Sequence, residues 1–174
     1  MMVLETDRLT VRRLTVDDSA FILRLLNEPS FIQHIGDRNV RSLADAKQYI
    51  LAGPMASYDL HGYGGFLVEL KETRLPIGVC GLIRRDTLDD VELRFAFMPE
   101  SWSKGYAFEA AAAMVSHAHD RHGLKRLVAV TSQENVATIN LLVRLGFYFD
   151  RMVRLPDEKE ELRLFARNFR EALE

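Results

Sequence analysis

The sequence predicts an α+β fold on a mixed sheet, and three observations predict it. Short apolar strands meander through residues 65–98. Helical and strand periodicities then alternate through 105–145. Two strands around a polar turn follow at 148–167.

The first strand spans Arg8 to Leu14. Thr15-Val-Asp-Asp18 has the form of a helix start, with Thr15 as cap and two acids in the first turn. That helix carries Phe21, Ile22, Leu25 and Leu26 on one face and is expected to stop near Asn27, before Pro29. Ser42 caps a second helix through Ala46, Tyr49 and Ile50, expected to end at Gly53-Pro54.

Strands are expected at Gly65–Leu70, Ile77–Ile83 and Val91–Met98, joined by the turn-like stretches Thr73–Pro76 and Asp86–Asp90. In the third, Val91, Leu93, Phe95 and Phe97 alternate with Glu92, Arg94 and Ala96, the period of a half-buried strand. A long helix follows from Gly105 to His122, with Ala107, Ala111, Met114, Val115 and Ala118 at helical spacing and Gly123 beyond its end. Leu127-Val-Ala-Val-Thr131 reads as a strand buried on both faces. A last helix runs from Asn135 to Leu145 and stops at Gly146. Tyr148–Arg154 and Glu161–Arg167 close the fold as a strand pair.

The 174 residues suit a single domain over 1–174, long enough to bury about 70% of the unfolded surface. A composition of 48% hydrophobic and 28% charged residues is that of an ordinary globular chain. The net charge of −2 gives no bulk attraction to nucleic acid or anionic membrane, so neither is an expected partner. No apolar run reaches the ~20 residues needed to cross a bilayer and the first residues lack signal-peptide character, so the expected location is the cytoplasm.

The lone Cys80 excludes an internal disulfide framework. Within Ile77–Ile83 it reads as a small core residue rather than a nucleophile, having no basic neighbour or helix start to lower its pKa. The five histidines lack ligand spacing, and no metal is expected. His117 and His119 face different directions on one helix, while His34 and His61 fall in expected loops.

The loop before the long helix carries the chemistry. A helix that opens at Gly105 offers unpaired backbone N–H groups and the positive end of its dipole, a site for phosphate. A plain strand-to-helix turn would use the same glycine, so the loop alone leaves both readings open.

Trp102-Ser-Lys-Gly-Tyr-Ala107 resembles the pyrophosphate loop of the GNAT superfamily of N-acetyltransferases, [Gln/Arg]-x-x-Gly-x-[Gly/Ala], with Trp102 where many members have Gln or Arg. Asn135-Val-Ala-Thr-Ile-Asn-Leu-Leu-Val-Arg-Leu-Gly-Phe147 is similar to a downstream segment of its Rim-type branch, the ribosomal-protein N-terminal acetyltransferases and their relatives. Leu4–Leu14 is similar to that branch's opening strand. The resemblance implies a mostly antiparallel sheet in which the strands of Glu92 and Leu127–Thr131 are parallel and splay apart around acetyl-CoA.

It also implies roles. The N–H groups of Gly105, Tyr106, Ala107 and Phe108 would face the pyrophosphate, with Trp102 in the loop and Lys104 adding charge. A bulge near Ala96–Met98 would free N–H groups of Phe97 and Met98 for the pantetheine arm and the oxyanion. Asn135 and Asn140 would contact the coenzyme. Glu92 is the expected base, acting through water, with a strand glutamate paired to Arg94 or a neighbouring strand as the plainer alternative. The tyrosine that serves many members as acid falls at Leu142, so Thr138 is the expected donor to the sulfur or a link in a water chain, or else a local hydrogen-bonding residue of the first helical turn.

The expected acceptor is the amine of a peptide or protein N-terminus. The alternatives are a small amine (a polyamine, amino acid or antibiotic), or no acceptor in a protein that only senses acyl-CoA. Either a monomer or a homodimer fits the sequence.

Overall fold

The computed structural model describes residues 1–156 and 158–170. Its eight strands form one sheet in the order β1-β2-β3-β4-β5-β6-β8-β7. They are β1 Met2–Glu5, β2 Leu9–Arg13, β3 Gly65–Leu70, β4 Pro76–Ile83, β5 Val91–Phe97, β6 Arg126–Thr131, β7 Tyr148–Val153 and β8 Leu162–Asn168. Neighbours are antiparallel except β5 and β6, which run parallel. The β7–β8 hairpin docks through β8, which inserts between β6 and β7.

Helices cover both faces. On one, α1 (Ser19–Leu26), α2 (Pro29–His34) and α3 (Leu43–Ile50) bury Ile22, Leu25, Phe31 and Ile50 against Leu14, Leu67 and Met98. On the other, α5 (Tyr106–His122) and α6 (Val136–Arg144) set Ala110, Ala111, Met114, Val115, Ala118 and Leu142 against Phe66, Val68, Leu82, Val91, Leu93 and Phe97. The small side chains of α5 bring its axis close to the sheet, which fixes where its first turn lies. Thr15 closes a capping box with Asp18, whose carboxylate is also held by Arg12 at 2.8 and 3.0 Å.

Two helices depart from the sequence reading. The first helix ends at Leu26 with Asn27 as its C-cap, as expected, but Pro29 then opens a further helix, α2, because a proline at the first helical position gives up an N–H that had no partner there. The second helix does not end at Gly53-Pro54. A wide π-type turn over Leu51–Met55 takes in the proline, and the chain continues as α4, Ala56–His61. Tyr58 of α4 then ties the sheet together: its hydroxyl accepts from Leu14 N at 3.0 Å and donates to the Gly65 carbonyl. No helix among the described residues is long and apolar enough to cross a membrane.

Candidate active site

The parallel strands part after two register positions, Val91 with Leu127 and Glu92 with Val128. Beyond them β5 stays in register with β4, from Ile83–Glu92 to Gly78–Phe97. The bulge expected at Ala96–Met98 is therefore absent. Free backbone groups arise differently. Met98 N donates to Ile77 O at 2.9 Å, so the alternation of an antiparallel ladder turns Leu93, Phe95 and Phe97 toward the edge that β6 has left. The Phe97 carbonyl on that edge accepts from Trp102 Nε1 at 2.9 Å.

The opening is a cleft of about 530 Å³. Glu92 to Phe97 form one wall, Ala129 to Ser132 the other. The start of α5 (Gly105 to Phe108) and the inner side of α6 (Asn135, Thr138, Leu141, Leu142) complete it.

At the α5 end, Ser103 and Gly105 both adopt left-handed backbone, with φ of 62° and 82°. This turns the chain into the helix, whose first backbone bond runs from Glu109 N to Gly105 O at 3.0 Å. The N–H groups of Tyr106, Ala107 and Phe108 consequently have no backbone acceptor among the described residues. Arg8 braces the loop from just before β2. It donates to Lys104 O and to the Glu109 carboxylate, each at 2.9 Å, and lies 4.4 Å over the Tyr106 ring. Burial works against ionised Glu109, but the bonds from Thr6 and Arg8 win and hold its carboxyl below the usual range. These backbone donors, at the positive end of a 17-residue helix, are a fit for a diphosphate.

At the other end, Glu92 is 2% exposed and carries the site's buried charge. Arg85 Nε and Nη2 donate to its two oxygens at 2.7 and 3.2 Å, and Arg94 Nη2 donates at 3.4 Å. Asn135 caps α6 by accepting from Thr138 N at 3.3 Å, so the two residues lie in one turn beside the cleft.

The cleft thus gathers Glu92, Phe97, Trp102, Gly105, Tyr106, Ala107, Phe108, Asn135 and Thr138. Three other residues singled out in the sequence lie elsewhere. Met98 is buried in the core under α1–α3, with its N–H bonded across to β4. Lys104 is exposed, with only its carbonyl engaged, and Asn140 is exposed on the outer side of α6. Sequence reasoning missed Arg85, Ser132 and Arg144, which also line the cleft. Arg144 lies 4.2 Å over the Phe108 ring. Ser132 Oγ is buried without a hydrogen-bond partner among the described residues. Its place just past the carboxyl end of a parallel strand was a signal available in the sequence.

The profile describing the acetyltransferase (GNAT) domain matches residues 8–148. The chain belongs to the GNAT acetyltransferase family. Among relatives of this GNAT protein, an uncharacterised N-acetyltransferase of Bacillus subtilis (strain 168), YoaA, is 28% identical over 87% of this chain and 86% of its own. The structure of an acetyltransferase from Agrobacterium tumefaciens str. C58 superposes with a TM-score of 0.82 at 24% identity, covering 97% of this chain and 95% of that one. That of RimL, a ribosomal α-N-protein acetyltransferase in complex with coenzyme A, superposes with a TM-score of 0.83 at 14% identity, covering 97% and 98%. The fold of the last agrees with the Rim-type resemblance, and both solved structures share the fold of this chain.

Proposed function

We propose that the protein moves acetyl from acetyl-CoA to a primary amine by direct attack in a ternary complex. The observation that carries this reading is the cleft between β5 and β6, with free helix N–H groups at one end and buried Glu92 at the other. Acetyl-CoA would supply the activated thioester. Tyr106 to Phe108 would hold its diphosphate through backbone N–H groups, and Leu93, Phe95 and Phe97 present the edge along which a pantetheine amide can pair. Ser132 Oγ, lacking a partner among the described residues, is a further donor for that arm.

In the reaction the ammonium first gives up one proton, the amine nitrogen then bonds to the carbonyl carbon, the carbon–sulfur bond breaks, and a second proton passes from the nitrogen to the thiolate. An α-ammonium has a pKa near 8, so a proton must leave before attack. Glu92 takes it through water, its carboxylate fixed by Arg85. Thr138 donates a hydrogen bond to the departing sulfur, which needs little acid help because a thiol has a pKa of about 8.5. Backbone N–H groups on the open edge of β5 face the oxygen that gains charge. Transfer through Cys80 is disfavoured: the thiol is fully buried, and burial pushes its pKa up to about 12.

The Rim-type branch points to a peptide N-terminal amine as acceptor. A small-molecule amine is the second reading, favoured by a separate cavity that adjoins the cleft under α1 and α3. The deciding experiment is acetyl-CoA-dependent thiol release against N-terminal peptides, blocked peptides, amino acids and polyamines. Release with free but not blocked peptides supports the first reading, and release with small amines alone the second. No release from any amine overturns the transferase reading.

A further inference from the structure

The adjoining cavity measures about 270 Å³, the scale of a single residue rather than a long peptide. Leu25, Phe31, Ile35, Arg94 and Ala96 line both spaces, so they meet at a common wall. Most of the smaller cavity is apolar, with Ile22, Leu26 and Val79 among its sides. Among the described residues its charged groups are Arg84 and Arg94, and no carboxylate lines it. Among the described residues nothing in this space could neutralise an incoming cation, while Arg84 and the spare donors of Arg94 face it.

Arg94 lies where the spaces meet. Its one hydrogen bond among the described residues is the long 3.4 Å contact from Nη2 to Glu92, an acceptor already gripped more closely by Arg85. Nε and Nη1 therefore remain uncommitted beside both cavities, although the side chain is only 25% exposed. Burial and the charges of Arg85 and Arg38 push the guanidinium below its ordinary value, with Glu92 opposing. A half-buried arginine with spare donors and a shared counter-ion is a receptor for a second carboxylate, which its planar fork can bind through two bonds.

We infer that the acceptor carries a carboxylate close to its amine: Arg94, with Arg84 behind it, holds that carboxylate at the junction, and the amine lies on the cleft side near Glu92. The inference rests on the acetyl-transfer reading and narrows its acceptor. Glu92 and Arg94 are two positions apart on one face of β5, about 7 Å along the strand, a span suited to a compact molecule. An apolar remainder fits the smaller cavity. A free α-amino acid with an apolar side chain meets these demands, as does a peptide whose first residue is acidic. A polyamine does not, since its second ammonium would meet Arg84 and Arg94.

The test is calorimetric titration of the coenzyme A-saturated protein with leucine, leucine amide, spermidine, and tetrapeptides that begin with Asp or Ala, in parallel with thiol release from acetyl-CoA. The expected result is that the carboxylate-bearing ligand binds about tenfold or more tightly than its neutral partner. Leucine against its amide reports the free amino acid, and the Asp against the Ala peptide reports the acidic N-terminus. Arg94→Gln should abolish the difference, and Arg84→Gln, at an exposed position, should reduce it in a protein whose fold is undisturbed. Equal or tighter binding of the neutral partners overturns the inference, as does a preference that survives Arg94→Gln. Turnover of neutral amines without any preference leaves the transferase reading standing and this one overturned. Arg94-dependent carboxylate binding without turnover does the reverse.

Discussion

Arg85 grips both carboxylate oxygens of Glu92, at 2.7 and 3.2 Å, from the loop just beyond β4. The pair sits at the last point where β5 and β6 are still joined, so the cleft begins at a buried charge whose direction is fixed. Fork-to-carboxylate geometry restrains rotation as well as supplying attraction.

Replacing Glu92 with Gln keeps the shape and removes the proton acceptor. Turnover should fall about 100-fold or more while coenzyme A affinity, measured by calorimetry, stays as it was. Unchanged turnover would remove Glu92 from the mechanism. Arg85→Gln should lower stability by about 2 kcal/mol in urea denaturation, since it strips a buried carboxylate of its closest partner.

Gly105 and Gly123 provide a matched comparison, with φ of 82° and 62°. A methyl group at Gly105 would lie 3.2 Å from Arg8 Nη2, whereas at Gly123 it would enter open space. Each Gly→Ala change should cost about 1 kcal/mol from left-handed backbone alone. Only Gly105→Ala should also weaken coenzyme A binding, because it strains the turn that aims the α5 N–H groups. Equal effects on binding would detach that turn from the coenzyme.

Burial holds the rings of His117 and His122 below the ordinary imidazole pKa. His122 and Arg121 add to this for His117, with Asp120 opposing. The rings lie 5.1 Å apart, and His122 Nε2 is buried without a partner among the described residues. Between the lowered folded values and about 6.5 the unfolded chain binds more protons, so stability rises with pH across that window. Urea midpoints should drop as pH falls through 6.5, and His122→Phe should flatten the drop. The contributions of Asp18 and Glu109, whose pKa values are lowered, lie in a separate window and are lost only below about pH 4.

Cys80 should resist thiol reagents in the native protein and react at once in denaturant. Cys80→Ala should lose about 1 kcal/mol and keep its turnover. Loss of activity in a folded variant would reopen a covalent acyl relay.

The elements with strong periodicity were legible in the sequence. The alternation of β5 and the alanine stripe of α5 each repeat long enough to fix the type of element. The helical content near Pro29 and Pro54 was not, because a proline that ends one helix can equally begin another or sit in a π-type turn. At the site, the loop of Gly105 and the cap of Asn135 are local in sequence and could be read. Bringing Glu92 beside Arg85, or Arg94 beside the space under α1 and α3, depends on register between strands and on how helices lie across the sheet. Asn140 shows the same limit from the other side, since an offset of two residues from Thr138 turns a helical side chain away from the cleft.

The narrow join between β5 and β6 also divides the sheet mechanically. To one side lie β1 to β5, and to the other β6, β8 and β7, each a continuous antiparallel ladder. Two register positions of backbone pairing join the halves across the seam, beside the packing of one shared core. Small rotations about that seam would change the width of the cleft without breaking a bond in either ladder. On the acetyl-transfer reading, the sheet would yield to a bulky coenzyme where its backbone is least stitched, while the ladders that carry the reacting groups keep their shape.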